Sequence, residues 1–232
     1  MKRAVELFEL EERASASPLV ERTWRTRSAP AASFISVASS HWEMVVTRHE
    51  GTSLLVVRGP ETRATAVPIP PDAEFFGVEF SPGTFMPSLP PGRLVDRSVA
   101  LPQAADGSVR LDGSVWEVPG PDDLEPFVAE LARAGLLVRD PVVPEALGGE
   151  VRGLSTRSVE RRVARATGLT RGAIRRIERA GRAVDLLSRG MSPLEAARHA
   201  GYADQPHLTR SLTRYVGQTP SRIVSSAAGG EP

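Results

Sequence analysis

The chain has 232 residues, 41% hydrophobic and 25% charged, which is ordinary for a globular protein and suits one large or two small domains. With no cysteine, disulfides, thiolate metal sites and cysteine nucleophiles are excluded, and no apolar run approaches the roughly 20 residues of a membrane span. The net charge of +1 hides a split, −6 over residues 1–140 and +7 over 141–232, so a polyanion-binding segment is expected beside an acidic one.

Residues 1–17 are charged and end in Ala-Ser-Ala-Ser, which predicts a loose or short helical leader. Phe8 and Leu10 sit among Glu6, Glu9, Glu11 and Glu12, so no signal-peptide core is present and a cytoplasmic location is expected. From 18 to 118 the texture is β. Short runs rich in Val, Phe and Thr (Phe34–Val37, Trp42–Arg48, Ser53–Val57, Arg63–Ile69, Glu74–Phe80) alternate with Gly and Pro clusters. In the last run Phe76, Val78 and Phe80 share one face. Residues 122–137 read as a helix, capped by Asp122 or Asp123, with Leu124, Phe127, Val128 and Leu131 at helical spacing. All three Trp and all seven Phe precede residue 140, while the remainder has only Tyr202 and Tyr215; two cores of different character imply two domains. The expected division is a β-rich domain over 18–138, a hinge at 139–144, a helical domain over 145–225 and a flexible tail at 226–232.

The helical part repeats itself at an offset of 49. Ser155 matches Asp204, Val159 matches Leu208, Arg161 matches Arg210, Val163 matches Leu212, Gly168 matches Gly217 and Thr170 matches Thr219. Ser155 and Asp204 can accept from free N–H groups at a helix start, and Gly168 and Gly217 supply the left-handed residue that ends it. The pairs Val159/Val163 and Leu208/Leu212 share a buried face, which turns the arginines elsewhere. Ser192-Pro193-Leu194-Glu195 is a capping box that opens a short helix, Gly201 ends it, and Tyr202-Ala203-Asp204 turns the chain into the helix from Gln205 to Val216. That is a helix-turn-helix unit. Before the first unit Val143–Leu147 is the expected positioning helix, with Gly148, Gly149 and Gly153 making its turn irregular. A long helix over 171–189, with Ile174, Ile177, Val184 and Leu187 as apolar positions, joins the two units. Packing alone accounts for the apolar repeat but not for arginine at one phase of both helices, nor for the surrounding Arg157, Arg162, Arg165, Arg175, Arg176 and Arg214.

On these residues the segment from Pro141 to Ile223 resembles the AraC/XylS family of transcription regulators, most specifically in Gly201-Tyr202-Ala203-Asp204-Gln205-Pro206-His207-Leu208-Thr209-Arg210 and Gly217-Gln218-Thr219-Pro220-Ser221. The family usually has Phe where Leu212 and Val163 stand. The resemblance implies a bipartite domain whose two recognition helices enter successive major-groove segments. It places Arg157, Glu160 and Arg161 of the first helix, and Gln205, His207 and Arg210 of the second, toward the groove. Arginine can pair with guanine, glutamine with adenine, and glutamate can accept from cytosine. Glu160 is equally well read as the partner of a neighbouring arginine. Arg165 and Arg214 lie further along and are expected to meet phosphates.

Family members often carry a β-rich, cupin-like sensor or dimerisation domain, and Gly77-Val78-Glu79-Phe80-Ser81-Pro82-Gly83 followed by Leu101-Pro102 resembles one such sensor type. The expected fold is thus α+β: a cupin-like barrel or sandwich, then an all-α domain with two helix-turn-helix units. The implied function is a sequence-specific DNA-binding regulator, not an enzyme, with no cofactor and no metal. Its expected partners are duplex DNA, a small-molecule effector, RNA polymerase and a second copy of the chain. Trp42, Phe76, Phe80 and Trp116 are candidates for a core or for the lining of an apolar effector pocket, the core reading being favoured for any one of them. Two alternatives stay open: an N-terminal domain that only dimerises, or a metal-dependent cupin enzyme using His41, Glu43 and His49, against which stands the missing second metal motif. DNA-repair proteins that share the module use a cysteine as methyl acceptor, and this chain has none.

Overall fold

The computed structural model describes residues 10–28, 33–103, 107–149 and 151–228. The N-terminal half contains twelve short strands, one α-helix and a 3-10 turn at Pro91–Arg93 among the described residues: β1 (Leu10–Ala14), β2 (Val20–Arg27), β3 (Ser33–Ser36), β4 (Glu43–His49), β5 (Thr52–Arg58), β6 (Thr65–Pro68), β7 (Glu74–Phe80), β8 (Thr84–Phe85), β9 (Ser98–Ala100), β10 (Val109–Leu111), β11 (Ser114–Trp116), α1 (Leu124–Arg133) and β12 (Val138–Arg139). Six of the strands form an open antiparallel sheet in the order β1-β2-β7-β4-β5-β9, and three two-stranded ladders, β3-β6, β8-β12 and β10-β11, flank it. The sheet's period-2 alternation fills one face with Met44, Val46, Leu55, Val57, Phe76, Val78 and Phe80, and α1 covers that face with Leu124, Phe127, Val128 and Leu131. Asp123 stands at the N-cap of α1, but its side chain makes no capping bond.

Trp42, Phe76 and Phe80 are therefore core. Trp42 stacks on Phe80 at 4.0 Å between ring centroids, and its indole N–H donates to the Thr84 carbonyl at 2.7 Å. Trp116 is half-buried and meets Phe127 edge-on. On the opposite face of β7, Trp24 lies over Gly77, where any Cβ would fall 2.5 Å from the Met44 carbonyl oxygen. Two carboxylates are buried there, each held by cations as a low-dielectric site requires. Glu43 accepts from the Trp24 indole at 3.2 Å and pairs with Arg58 at 3.1 Å. Glu79 pairs with Arg22 at 2.8 Å and lies 3.3 Å from His41 Nδ1.

The C-terminal half is helical: α2 (Val142–Gly148), α3 (Thr156–Thr167), α4 (Arg171–Ser188), α5 (Pro193–His199), α6 (Gln205–Val216) and α7 (Pro220–Ala228). Two connections carry regular structure. Residues 10–14 of the expected leader are an edge strand paired with β2, while residues 1–9 lie outside the described ones. The expected hinge at 139–144 is ordered: Val138 and Arg139 pair with Phe85 and Thr84, the Asp140 carboxylate accepts from the Val142 amide, and α2 has begun by Val142. The second connection rests on a pairing between residues more than 50 apart in sequence, which local composition does not encode. Of the expected tail, 226–228 continue α7, and 229–232 lie outside the described residues.

Candidate nucleic-acid interface

Local chemistry builds the two repeated helices in the same way. The Ser155 hydroxyl accepts from the Ser158 amide at the start of α3, and the Asp204 carboxylate accepts from the His207 amide at the start of α6. Pro206 falls in the first turn of α6, where its missing N–H is not needed. Gly168 and Gly217 end the two helices in the left-handed region, with φ of 74° and 75°. Val159, Val163 and Ala166 of α3, and Leu208, Leu212 and Tyr215 of α6, are buried in one core with Ile174, Ile177, Ala180 and Leu187 of α4. Burial of that stripe fixes which side of each helix is left for a partner.

On the free side the eight expected residues divide. Arg157 and Arg161 of α3, and Gln205 and Arg210 of α6, are exposed, and no carboxylate pairs with the three arginines among the described residues. With no such partner among the described residues, the three arginines suit an anionic surface. Glu160 is half-buried and lies 3.7 Å from Arg171 of α4, which also donates to the Gly149 carbonyl; the arginine-partner reading thus has a counterpart, on the next helix rather than on α3 itself. His207 is half-buried, its ring edge-on to Tyr202 at 5.1 Å. Arg165 and Arg214 are exposed, with guanidinium groups 5.2 Å over Phe85 and 5.5 Å over Tyr215.

The second unit is assembled on α4. The capping box of α5 is complete: Ser192 accepts from the Glu195 amide, and the Glu195 carboxylate accepts from the Ser192 amide and hydroxyl. These bonds hold the Glu195 carboxyl below the usual carboxylate range, the Ser192 hydroxyl bond being the largest cause. Arg179 of α4 stacks over Tyr202 at 4.5 Å and donates to the Gly201 carbonyl, while the Tyr202 hydroxyl bonds Ser211 of α6 at 2.9 Å. Arg179 and Tyr202 thus tie the turn between α5 and α6 to both α4 and α6. The repeat could not expose them, because each acts across helices.

Sequence reasoning also missed that the β-rich half touches both repeated helices. The Ala38 amide donates to the Tyr215 carbonyl at 2.7 Å and the Ala64 amide to the Arg214 carbonyl at 2.8 Å, so two carbonyls in the last turn of α6 are satisfied from the other domain. At α3, Arg162 pairs with Asp140 at 3.0 Å, and Phe85, Val37 and Ala38 belong to the same buried cluster as Val159 and Leu212.

Residues 150–225 match the family model described as a helix-turn-helix domain, a span that contains α3 to α6 whole. No curated protein and no solved structure matches the chain. Among the described residues no helix is long and apolar enough to cross a membrane.

Proposed function

We propose that this DNA-binding transcription regulator, whose residues 150–225 form an AraC-type helix-turn-helix domain, reads two successive major-groove segments with α3 and α6 under the control of a small molecule. The observation that carries the reading is the pair of identically capped helices, each presenting an exposed arginine at the same repeat position, Arg161 and Arg210, with no carboxylate partner among the described residues. In this reading Arg157, Arg161, Gln205 and Arg210 meet base edges, Glu160 and His207 stand at the margin of the groove, and Arg165 and Arg214 meet phosphates. The chain then acts in the cytoplasm and performs no catalysis.

An open groove of about 550 Å³ between β1, β2, the segment 38–41 before β4, Glu79 of β7, and α4 supports the regulatory half of the proposal. Its walls include Glu12, Arg22, His41 and Glu79 from one domain and Glu178 and Asp185 from the other. Sites of this size favour domain boundaries. Trp42, Phe76 and Phe80 do not line the groove but fill the core, so an effector bound here meets charged side chains of both domains.

The test is selection of duplex DNA by the full chain, followed by binding at rising salt. A selected sequence with two subsites about 10 bp apart, and affinity falling steeply with salt, is the expected result. Failure to enrich any sequence at low salt refutes the reading.

A further inference from the structure

The two helix-ending glycines, 49 residues apart in the repeat, both abut the β-rich domain. A Cβ on Gly168 would fall 2.8 Å from the backbone of Pro91 and Gly92, and one on Gly217 would fall 3.1 Å from Ile35 Cγ2 and 3.2 Å from Ala64 Cβ. Apart from Ile35 of β3, these contacts come from the segments 59–64 and 91–97, which are laced to each other. Gly59 donates to the Arg97 carbonyl at 3.0 Å and Asp96 to the Pro60 carbonyl at 2.9 Å. The Asp96 carboxylate accepts from the Thr62 amide at 2.6 Å and the Thr62 hydroxyl at 2.7 Å. A chain of direct contacts therefore runs from the end of α3, through Pro91–Gly92, Asp96, Thr62 and Ala64, to the end of α6.

We propose that this bridge is a splint: the β-rich domain sets the relative placement of α3 and α6, and hence the spacing of DNA subsites the protein accepts. The inference rests on the proposed DNA reading and adds to it the positioning residues Ala64, Gly92 and Asp96, which lie outside the matched helix-turn-helix segment. The mechanical argument is that the chain joins the two units only through α4, a rod of 18 residues spanning about 27 Å. The core that α3 and α6 share with α4 holds one side of each unit, and the turns at the rod's ends, 168–170 and 189–192, leave tilt as the remaining freedom. A second connection between the far ends of α3 and α6 closes a frame and removes that freedom. A tilt moves the base-reading face of one helix along the duplex, so removing it narrows the spacing the pair can serve.

The chain has no cysteine, so spin labels at Ala164→Cys and Thr213→Cys, exposed and equivalent repeat positions, report the separation of α3 and α6 in the full-length protein without DNA. The distance distribution is measured in this parent and in three variants. Asp96→Gly removes the carboxylate where φ is 56°, which glycine adopts without strain, and Gly92→Glu and Ala64→Glu drive wedges under Gly168 and Gly217. Gly92→Ala is the control, because its Cβ would stand 3.8 Å from the Gly168 Cα, an ordinary contact. The expected result is a single narrow distribution in the parent and the control, broadened in all three variants. The same variants, unlabelled, should lose discrimination against a duplex with its subsites 2 bp further apart, from about ten-fold to about three-fold or less. An unchanged distance distribution in variants that keep their helical circular dichroism would overturn the splint and leave α4 alone in charge of spacing. Should a wedge variant unfold, Asp96→Gly, which touches neither helix, decides the matter. Absence of DNA binding by the parent refutes the proposed function instead, and the distances still judge the splint.

Discussion

The backbone amide of Ala64, in the β-rich domain, donates to the backbone carbonyl of Arg214 in the last turn of α6 at 2.8 Å. Arg214 is also expected to meet phosphate through its side chain. One residue thus has its carbonyl fixed by the neighbouring domain while its guanidinium, over the Tyr215 ring, stays exposed.

Removing the β-rich domain should therefore cost stability before it costs DNA binding. A fragment starting at Pro141 keeps both capped helices but loses the donors to the Arg214 and Tyr215 carbonyls and the cover of Phe85, Val37 and Ala38. It should bind duplex DNA and unfold at lower temperature than the full chain. Equal melting temperatures for the helical part in both, followed by circular dichroism, would show that the contacts add nothing.

Arg161→Ala and Arg210→Ala should each relax sequence preference at one subsite and leave the other unchanged. A base contact of this kind is worth about 1–3 kcal/mol of discrimination. Arg165→Ala and Arg214→Ala should instead weaken binding evenly on all sequences and reduce the salt slope by about one each. Selection and salt titration with the four variants separate the two classes. A uniform loss from Arg161→Ala would move that residue to the phosphate class.

Glu43→Ala should destabilise the β-rich half by about 3 kcal/mol, because it strips a buried partner from Arg58 and from the Trp24 indole. Arg58 retains Glu61 at 2.9 Å, which keeps the loss toward the lower end of the range for broken buried pairs. Chemical denaturation followed by tryptophan fluorescence measures it. A loss under ~1 kcal/mol would mean that Glu61 and solvent compensate.

The capping box gives the second helix-turn-helix unit a pH dependence of known sign. The Glu195 carboxyl is depressed in the folded state, chiefly by the Ser192 hydroxyl, so its contribution is complete above the ordinary glutamate range and is lost as pH falls through the lower folded value. The stability difference between the parent and Glu195→Ala should be constant near neutral pH and shrink in acid. A difference that persists unchanged through the acidic range would place the effect in helix propensity rather than in the ionised cap.

How much of this was legible beforehand follows from the range of each interaction. Ser155, Asp204, Gly168, Gly217 and the Ser192/Glu195 box act within a few residues of themselves, so the sequence alone determined where α3, α5 and α6 begin and end, and the 49-residue offset exposed their kinship. The run Glu74–Phe80 showed its buried face because alternation is local too. Strands β1 and β2 carry Glu, Arg and Thr rather than an apolar alternation, and β2 is held in the sheet by β7, some 50 residues away, so no local pattern announced them. Charge placed a polyanion reader in the C-terminal third and distinguished the exposed arginines only as a group. Tertiary structure decided which stay free: Arg162 pairs with Asp140, Arg171 lies beside Glu160 and Arg179 stacks over Tyr202, while Arg157, Arg161 and Arg210 have no carboxylate partner among the described residues. It also decided that Trp42, Phe76 and Phe80 fill a core, and that Ala64 and Gly92 lie against the ends of the two reading helices. A small residue in a loop carries no sequence signal of what it touches; its role arises from close approach, and close approach exists only once the chain has folded.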